Sequence, residues 1–79
     1  MLFLIEYDRS IGQIVTFATI NDSERRKAED SRLELELRLN RERVKHEVVI
    51  LEATSEDALH LTHRRYFESI DELLTSPTG

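Results

Sequence analysis

The densest set of chemically capable side chains in this sequence lies between Glu56 and Tyr66. On a helix, His60 and His63 are neighbours on one face, and Glu56 lies one turn before His60. Two imidazoles and a carboxylate are ligands that zinc accepts. The spacing lacks the HExxH signature of a zinc enzyme, and a solvated helix face explains the same residues. We therefore treat these three residues as weak metal-ligand candidates and predict neither a metal site nor another cofactor.

The same segment offers a second chemistry, the binding of nucleic acid. Arg64 and Arg65 are able to pair with phosphates, and Tyr66 is able to stack on a base. The basic trio Arg25–Lys27 adds positive charge, but acids flank it on both sides. The chain has 16 Asp plus Glu against 11 Lys plus Arg, a formal charge of -5, which opposes nonspecific binding to a polyanion. Nucleic-acid binding through these residues is therefore an alternative function.

Catalysis requires a nucleophile or an acid–base pair placed in a pocket. The candidates are Asp8 and Ser10 in a predicted turn, His46 and Glu47 at the start of a predicted strand, and the pair His60 and His63. The sequence does not show whether these side chains approach one another. It contains no phosphate loop, nucleophile elbow or dinucleotide fingerprint, and its two glycines leave little for a phosphate-binding loop. We predict that the protein is not an enzyme, with a small enzyme or metal-binding protein as the third alternative.

Length and composition predict one small domain. The chain has 79 residues and no cysteine, so its stability depends on its core or on a partner. We expect residues 1–74 to form the domain and residues 75–79 to form a flexible tail. The first residues carry an acid where a signal peptide would carry basic residues, and no segment approaches the length of a membrane span. These features predict a soluble cytoplasmic protein with no membrane partner.

The first 20 residues predict a hairpin. Leu2–Tyr7 is apolar on both faces, which is typical of a central strand. Asp8–Gly12 contains turn formers, and Gly12 supplies the positive φ that hairpin loops often need. Gln13–Ile20 is rich in β-branched residues and predicts a second strand. If that strand is regular, Val15 shares one face with Phe17, and Ile14 lies on the other.

The central segment, Asn21–Arg43, fits two structures. As a helix, it begins with a capping signal, Asn21 followed by Glu24, and consists of strong helix formers. As a strand, Leu33–Leu39 alternates leucine with charged residues at a period of two. Glu is depleted in strands, and Glu34 with Arg38 is a favourable helical pair, so we predict the helix. The strand is the main alternative.

The last third of the chain predicts a strand and a helix. His46–Ala53 is a β-branched run that is apolar on both faces. Ser55, or Thr54 with Asp57, then caps a helix whose apolar positions continue to Phe67. Ser69 repeats the capping signal, so we expect a short final turn of helix.

These elements predict an α+β fold, a two-layer β-β-α-β-α sandwich. The helix returns the chain, so the three-stranded antiparallel sheet takes the order 2-1-3 with the helices on one face. The other apolar face is then uncovered, and so is a second leucine stripe on the long helix. A homodimer formed through the open sheet face, or through Leu33, Leu37 and Val44, would bury this surface. The alternative ββαββα fold, with residues 33–39 as a strand, buries the leucines without a partner.

Function follows from the sequence only by elimination. The first interpretation is a small homodimeric protein–protein interaction or regulatory module, because self-association hides the excess apolar surface. The free edges of the second and third strands are also able to accept a strand from a protein partner.

Overall fold

The structure, a computed structural model, describes residues 1–67, and the predicted final turn after Ser69 and the tail lie outside them. Within this part of the chain, three strands and two α-helices alternate with short 3-10 turns. Their bounds are β1 Leu2–Asp8, β2 Gln13–Ile20, α1 Arg25–Arg41, β3 Glu47–Glu52 and α2 Glu56–Thr62, with 3-10 turns at Asp22–Glu24 and Arg64–Tyr66.

The sheet has the predicted topology. Its strand order is β2-β1-β3, and β1 pairs antiparallel with both neighbours. Five apolar residues of β1, Leu2, Phe3, Leu4, Ile5 and Tyr7, are buried. A strand with apolar side chains on both faces takes the central position because only there are both faces covered.

The hairpin turn and a bulge set the register of β2. Gly12 has a φ of 66° and donates its N–H to the carbonyl of Asp8 at 2.8 Å, so this position needs the freedom of glycine. The register shifts between Glu6 and Tyr7, which leaves Val15 without a partner on β1 and exposed. Because of this bulge, Ile14 packs against the same cluster as Phe17, not on the opposite face as a regular strand would require.

The central segment is a helix, so the strand alternative for Leu33–Leu39 is wrong. Ala28 and Leu39 of α1 are buried, and these two residues lie on one stripe at helical spacing. The predicted cap at Asn21 makes no side-chain hydrogen bond, because a 3-10 turn intervenes before α1. In residues 1–67 no helix combines the length and the apolar composition needed to cross a bilayer.

In one respect the contacts differ from the prediction that both helices cover one face. Helix α1 lies against β1 and β3, where a groove between helix and sheet is lined jointly by Leu4 of β1 and Ser31 of α1. The other face of β1, with Phe3 and Ile5, packs against Leu59 of α2. The two helices therefore divide the sheet between them, and the central strand is buried within one copy of the chain.

The connection from α1 to β3 is short and contains a strained residue. The N–H of Val44 bonds to the carbonyl of Leu39 at 2.9 Å, which closes the end of the helix. Arg43 has a φ of 59°, a left-handed conformation that a residue with a Cβ adopts only at a cost. This reversal of the chain delivers His46 to the end of the sheet where β1 becomes the turn.

Candidate functional site

The candidate site is built around an acid in the central strand. Glu6 is only 3% exposed, and it is the one charged residue in the apolar run Leu2–Tyr7. Its Oε1 atom accepts a hydrogen bond from the hydroxyl of Thr16, its partner on β2, at 2.8 Å. A buried carboxylate is costly unless charged or hydrogen-bonding partners surround it.

His46 supplies that charge and joins two carboxylates. Its Nδ1 atom lies 2.5 Å from Oε2 of Glu6, and its Nε2 atom lies 3.3 Å from Oδ2 of Asp8. Glu6 and Asp8 are two residues apart on β1, so both side chains point to the same face. Asp8 in turn accepts hydrogen bonds from the N–H of Ser10 at 3.0 Å and from its hydroxyl at 2.6 Å. We call Glu6, His46 and Asp8 the histidine clamp.

The contacts of the clamp favour a protonated His46 and ionised Glu6 and Asp8. The hydrogen bond with Glu6 raises the pKa of His46, and the charge of Asp8 adds to this effect against the opposing effect of burial. Burial acts to raise the pKa of Glu6, but the hydrogen bonds from His46 and Thr16 together outweigh it and hold that pKa below its usual value. The Ser10 hydroxyl lowers the pKa of Asp8.

Helix α1 also contributes to the electrostatics of the clamp. The positive charge of Arg38 lowers the pKa of Glu6 further. Next to His46 an open groove is lined by Glu36 and Asn40 of α1 together with apolar side chains of the helix, loop and β3, Leu39, Val44 and Val48. The clamp therefore lies where β1, α1 and the loop before β3 meet.

The arrangement is suited to holding elements together more than to acid–base or metal chemistry. Both ring nitrogens of His46 are engaged by carboxylates, so the charged ring presents neither of them to a substrate. Glu6 and Asp8 bind opposite edges of the ring and do not converge on one point. Among the residues that the structure describes, no group of three or more His, Asp or Glu side chains has the geometry to hold a metal ion.

The structure brings together three of the six catalytic candidates named from the sequence. Asp8, Ser10 and His46 are joined through the clamp, whereas Glu47 points to the opposite face of the sheet. Sequence reasoning missed Glu6 and its partner Thr16. The available signal was the presence of one charged residue, Glu6, inside the apolar run Leu2–Tyr7.

A second polar cluster attaches the C-terminal elements to the sheet. Arg65 donates to Glu47 at 3.1 Å and to the hydroxyl of Tyr66 at 2.6 Å, and that hydroxyl donates to Glu47 at 3.1 Å. The Arg65 guanidinium carbon lies 4.3 Å from the centre of the Tyr66 ring. Burial, together with the bond to Glu47, raises the pKa of Tyr66. The Tyr66 ring meets the ring of Tyr7 edge to face at 5.1 Å.

This cluster occupies the residues predicted to bind nucleic acid. Tyr66 is 5% exposed, so its ring is covered and does not present a face to a base. Arg65 is paired with Glu47, and Arg64 is exposed. Of the three predicted residues, only Arg64 and Arg65 reach the surface.

The predicted metal-ligand candidates do not converge on one point. His60 lies 3.6 Å from Glu56, and its ring stacks on Phe67 with 3.7 Å between ring centres. Helix α2 ends at Thr62, so His63 leaves the helical face and lies near Tyr66.

Two of the predicted interface residues lie on the solvent side of α1. Leu33 and Leu37 are each 55% exposed, one turn apart, on the side of the helix opposite Ala28 and Leu39. Val44 does not continue their stripe, because α1 ends at Arg41 and Val44 is half-buried beside Leu39.

Comparison of the chain with protein-family models, with curated proteins and with solved structures finds no match in any of the three.

Proposed function

We propose that this protein is a cytoplasmic protein–protein interaction module that self-associates through the outer face of α1. This outer face consists of Leu33 and Leu37 with the charged residues that flank them, Arg26, Asp30 and Arg41. The observation that carries the proposal is the exposure of 55% at each of two leucines one turn apart on the longest helix. Apolar side chains at this spacing form the seam of paired helices.

The size of this surface predicts a weak, rapidly exchanging dimer. Completing the burial of a half-exposed leucine contributes roughly 1 kcal/mol, and a symmetric dimer buries four. The 17 residues of α1 extend over roughly 25 Å, which is shorter than the seam of a stable coiled coil. The four leucines together contribute roughly 4 kcal/mol, which corresponds to dissociation at about 1 mM. Loss of translational and rotational freedom opposes association further, so we expect a dissociation constant of about 1 mM or above.

A second copy fits this face best in an antiparallel orientation. Asp30 and Arg41 are eleven residues apart and therefore lie on the same flank of the helix. If two copies pair antiparallel about the midpoint of Leu33 and Leu37, Asp30 of each copy lies level with Arg41 of the other. Opposite charges then meet twice across the seam, and the two helix dipoles also align favourably.

Sedimentation equilibrium at concentrations up to about 1 mM tests the proposal. We expect the average mass of the unaltered chain to rise from monomer toward dimer, and the Leu33→Gln/Leu37→Gln variant to remain monomeric. Glutamine keeps helix propensity and net charge, so a loss of association reports the apolar contact. The matched control is Leu61→Gln, which removes a leucine that is 77% exposed on α2. A monomer at every concentration, or equal effects of both changes, contradicts the proposal.

A further inference from the structure

We propose that the histidine clamp is a pH-sensitive latch, which holds the loop of residues 42–46 against the sheet while His46 is protonated and releases it when His46 becomes neutral. The inference does not depend on self-association. It concerns how the loop between α1 and β3 is fixed within one chain.

The geometry makes the protonated ring necessary for both contacts. An imidazolium has two N–H donors, whereas a neutral imidazole has one. Here Nδ1 faces Glu6 and Nε2 faces Asp8, and a carboxylate only accepts hydrogen bonds. Loss of one proton therefore leaves one of the two carboxylates without a donor from His46, and a ring nitrogen lone pair then faces a negative oxygen.

The surrounding charges do not replace the lost proton. From α1, Arg38 places positive charge near Glu6, while Glu36 lines the groove beside His46. From β2, only the hydroxyl of Thr16 reaches Glu6. With His46 neutral, the carboxylate of Glu6 stays buried and loses its directly bonded cation, and Arg38 contributes only its charge. A buried carboxylate that loses its paired charge is destabilising.

The loop contains a residue in an unfavourable backbone conformation. Arg43 is held in a left-handed conformation, which is unfavourable for a residue with a side chain. Residues in such conformations persist only where surrounding contacts enforce them. The backbone bonds of Arg43 to Asn40 and of Val44 to Leu39 hold this conformation at the end of α1. The two ion pairs of His46 hold the end of the loop against the sheet.

The direction of the pH effect follows from the raised pKa of His46. A group whose pKa is higher in the folded than in the unfolded chain stabilises the fold fully below its unfolded value, here 6.5. That stabilisation is lost as pH rises through the higher, folded value. The latch is therefore closed in mildly acidic solution and opens as pH rises through the raised pKa of His46.

Urea unfolding at about pH 6 and about pH 9 tests the latch, measured in a Leu33→Gln/Leu37→Gln background so that association does not contribute. We expect the unfolding equilibrium constant to rise at least about threefold more between these pH values with His46 present than in a His46→Gln variant. His60→Gln is the matched control, because His60 pairs with one exposed carboxylate. The ion pair between the ammonium of Met1 and Asp22, at 2.9 Å, is common to all variants. Equal pH dependence with and without His46 overturns the latch.

An NMR titration of the unaltered chain gives an independent reading if the His46 variant does not fold. We expect His46 to titrate above pH 6.5, and the amide signals of residues 42–46 to shift with it. The amide of Ser10, which bonds to Asp8, should follow the same curve. Titration of His46 at or below pH 6.5, or loop signals that do not follow it, contradicts the proposal. Loss of dimerisation in the sedimentation experiment would leave these readings unchanged.

Discussion

At the scale of single residues, Glu6 shows how partners decide whether a buried charge is tolerated. Its carboxylate lies in the central strand at 3% exposure, yet it receives a hydroxyl donor from Thr16 and an imidazole from His46. The charge of Arg38 acts in the same direction. Removal of one member leaves the others buried without compensation, and this is more damaging than the mean strength of a hydrogen bond implies.

We predict that Glu6→Gln destabilises the fold by about 1–3 kcal/mol near pH 6. Glutamine keeps the shape of the side chain and an oxygen for Thr16, but it removes the negative charge opposite His46. The pKa of His46 should therefore fall toward 6.5. Urea unfolding and the NMR titration of His46 measure the two effects. The control is Glu24→Gln, which removes a half-exposed carboxylate paired with Lys27.

Loss of stability at acid pH tests Glu6 directly, because the pKa of Glu6 is lowered in the fold whereas that of His46 is raised. The pKa values of Glu6 and Asp8 lie below their usual 4.5 and 3.8, so their stabilisation is present above those values and is lost as pH falls through the folded ones. Together with His46, they place maximum stability of the clamp between about pH 4.5 and 6.5. The Glu6→Gln variant should lose less stability on acidification than the unaltered chain. An identical acid limb would show that Glu6 is not charged in the folded protein.

At the scale of elements, the stability of α2 depends strongly on Ser55, the residue that caps its N-terminus. The helix has only seven residues, and the hydroxyl of Ser55 accepts a hydrogen bond from the N–H of Ala58 at 3.1 Å. Short helices are marginal by themselves, so capping and packing decide whether they form. Leu59, one turn into α2, is fully buried against the core. Fraying of this helix therefore uncovers the face of the sheet that α1 does not cover.

We predict that Ser55→Ala destabilises the fold by about 0.5–2 kcal/mol, the usual cost of removing an N-terminal cap. Asn21→Ala is the matched control, because Asn21 precedes the 3-10 turn without making a capping bond. It should change stability by less than about 0.5 kcal/mol. Thermal or urea unfolding measures both. Equal losses in the two variants would mean that the cap at Ser55 does not determine the stability of α2.

At the scale of the whole molecule, apolar surface is distributed unevenly. Both faces of β1 are covered by helices of the same chain. The outer face of α1, in contrast, exposes two leucines to solvent. Exposed apolar residues are normal when scattered, but paired leucines on one long helix are a defined surface. This placement moves the proposed contact between copies away from the sheet and onto the helix.

We predict that charge reversal on the flank of α1 tests the orientation of the proposed dimer. Asp30→Arg and Arg41→Asp should each weaken association about two- to tenfold, because each change opposes like charges twice across the seam. The combined variant should regain most of the affinity, since the attractive pairs are restored with reversed sign. Sedimentation measures association, and circular dichroism confirms that α1 is retained. Additive weakening in the combined variant contradicts the antiparallel arrangement.

The sequence by itself determined the identity and order of the strands and helices, because these follow from short-range preferences. The two-sided apolar run of Leu2–Tyr7 identified the central strand, and helix formers over the central segment outweighed a misleading alternation of period two. Gly12 marked the turn and Ser55 the start of α2 for similarly local reasons.

Only the tertiary structure decided which face each helix covers, where β2 bulges and what surrounds Glu6. Glu6 and His46 are 40 residues apart in sequence, and no local preference records that they meet. Their contact depends on the pairing register, the left-handed turn at Arg43 and the position of α1 at the same time. A contact of this kind depends on how whole elements pack, because burial and charge act through space and not along the chain.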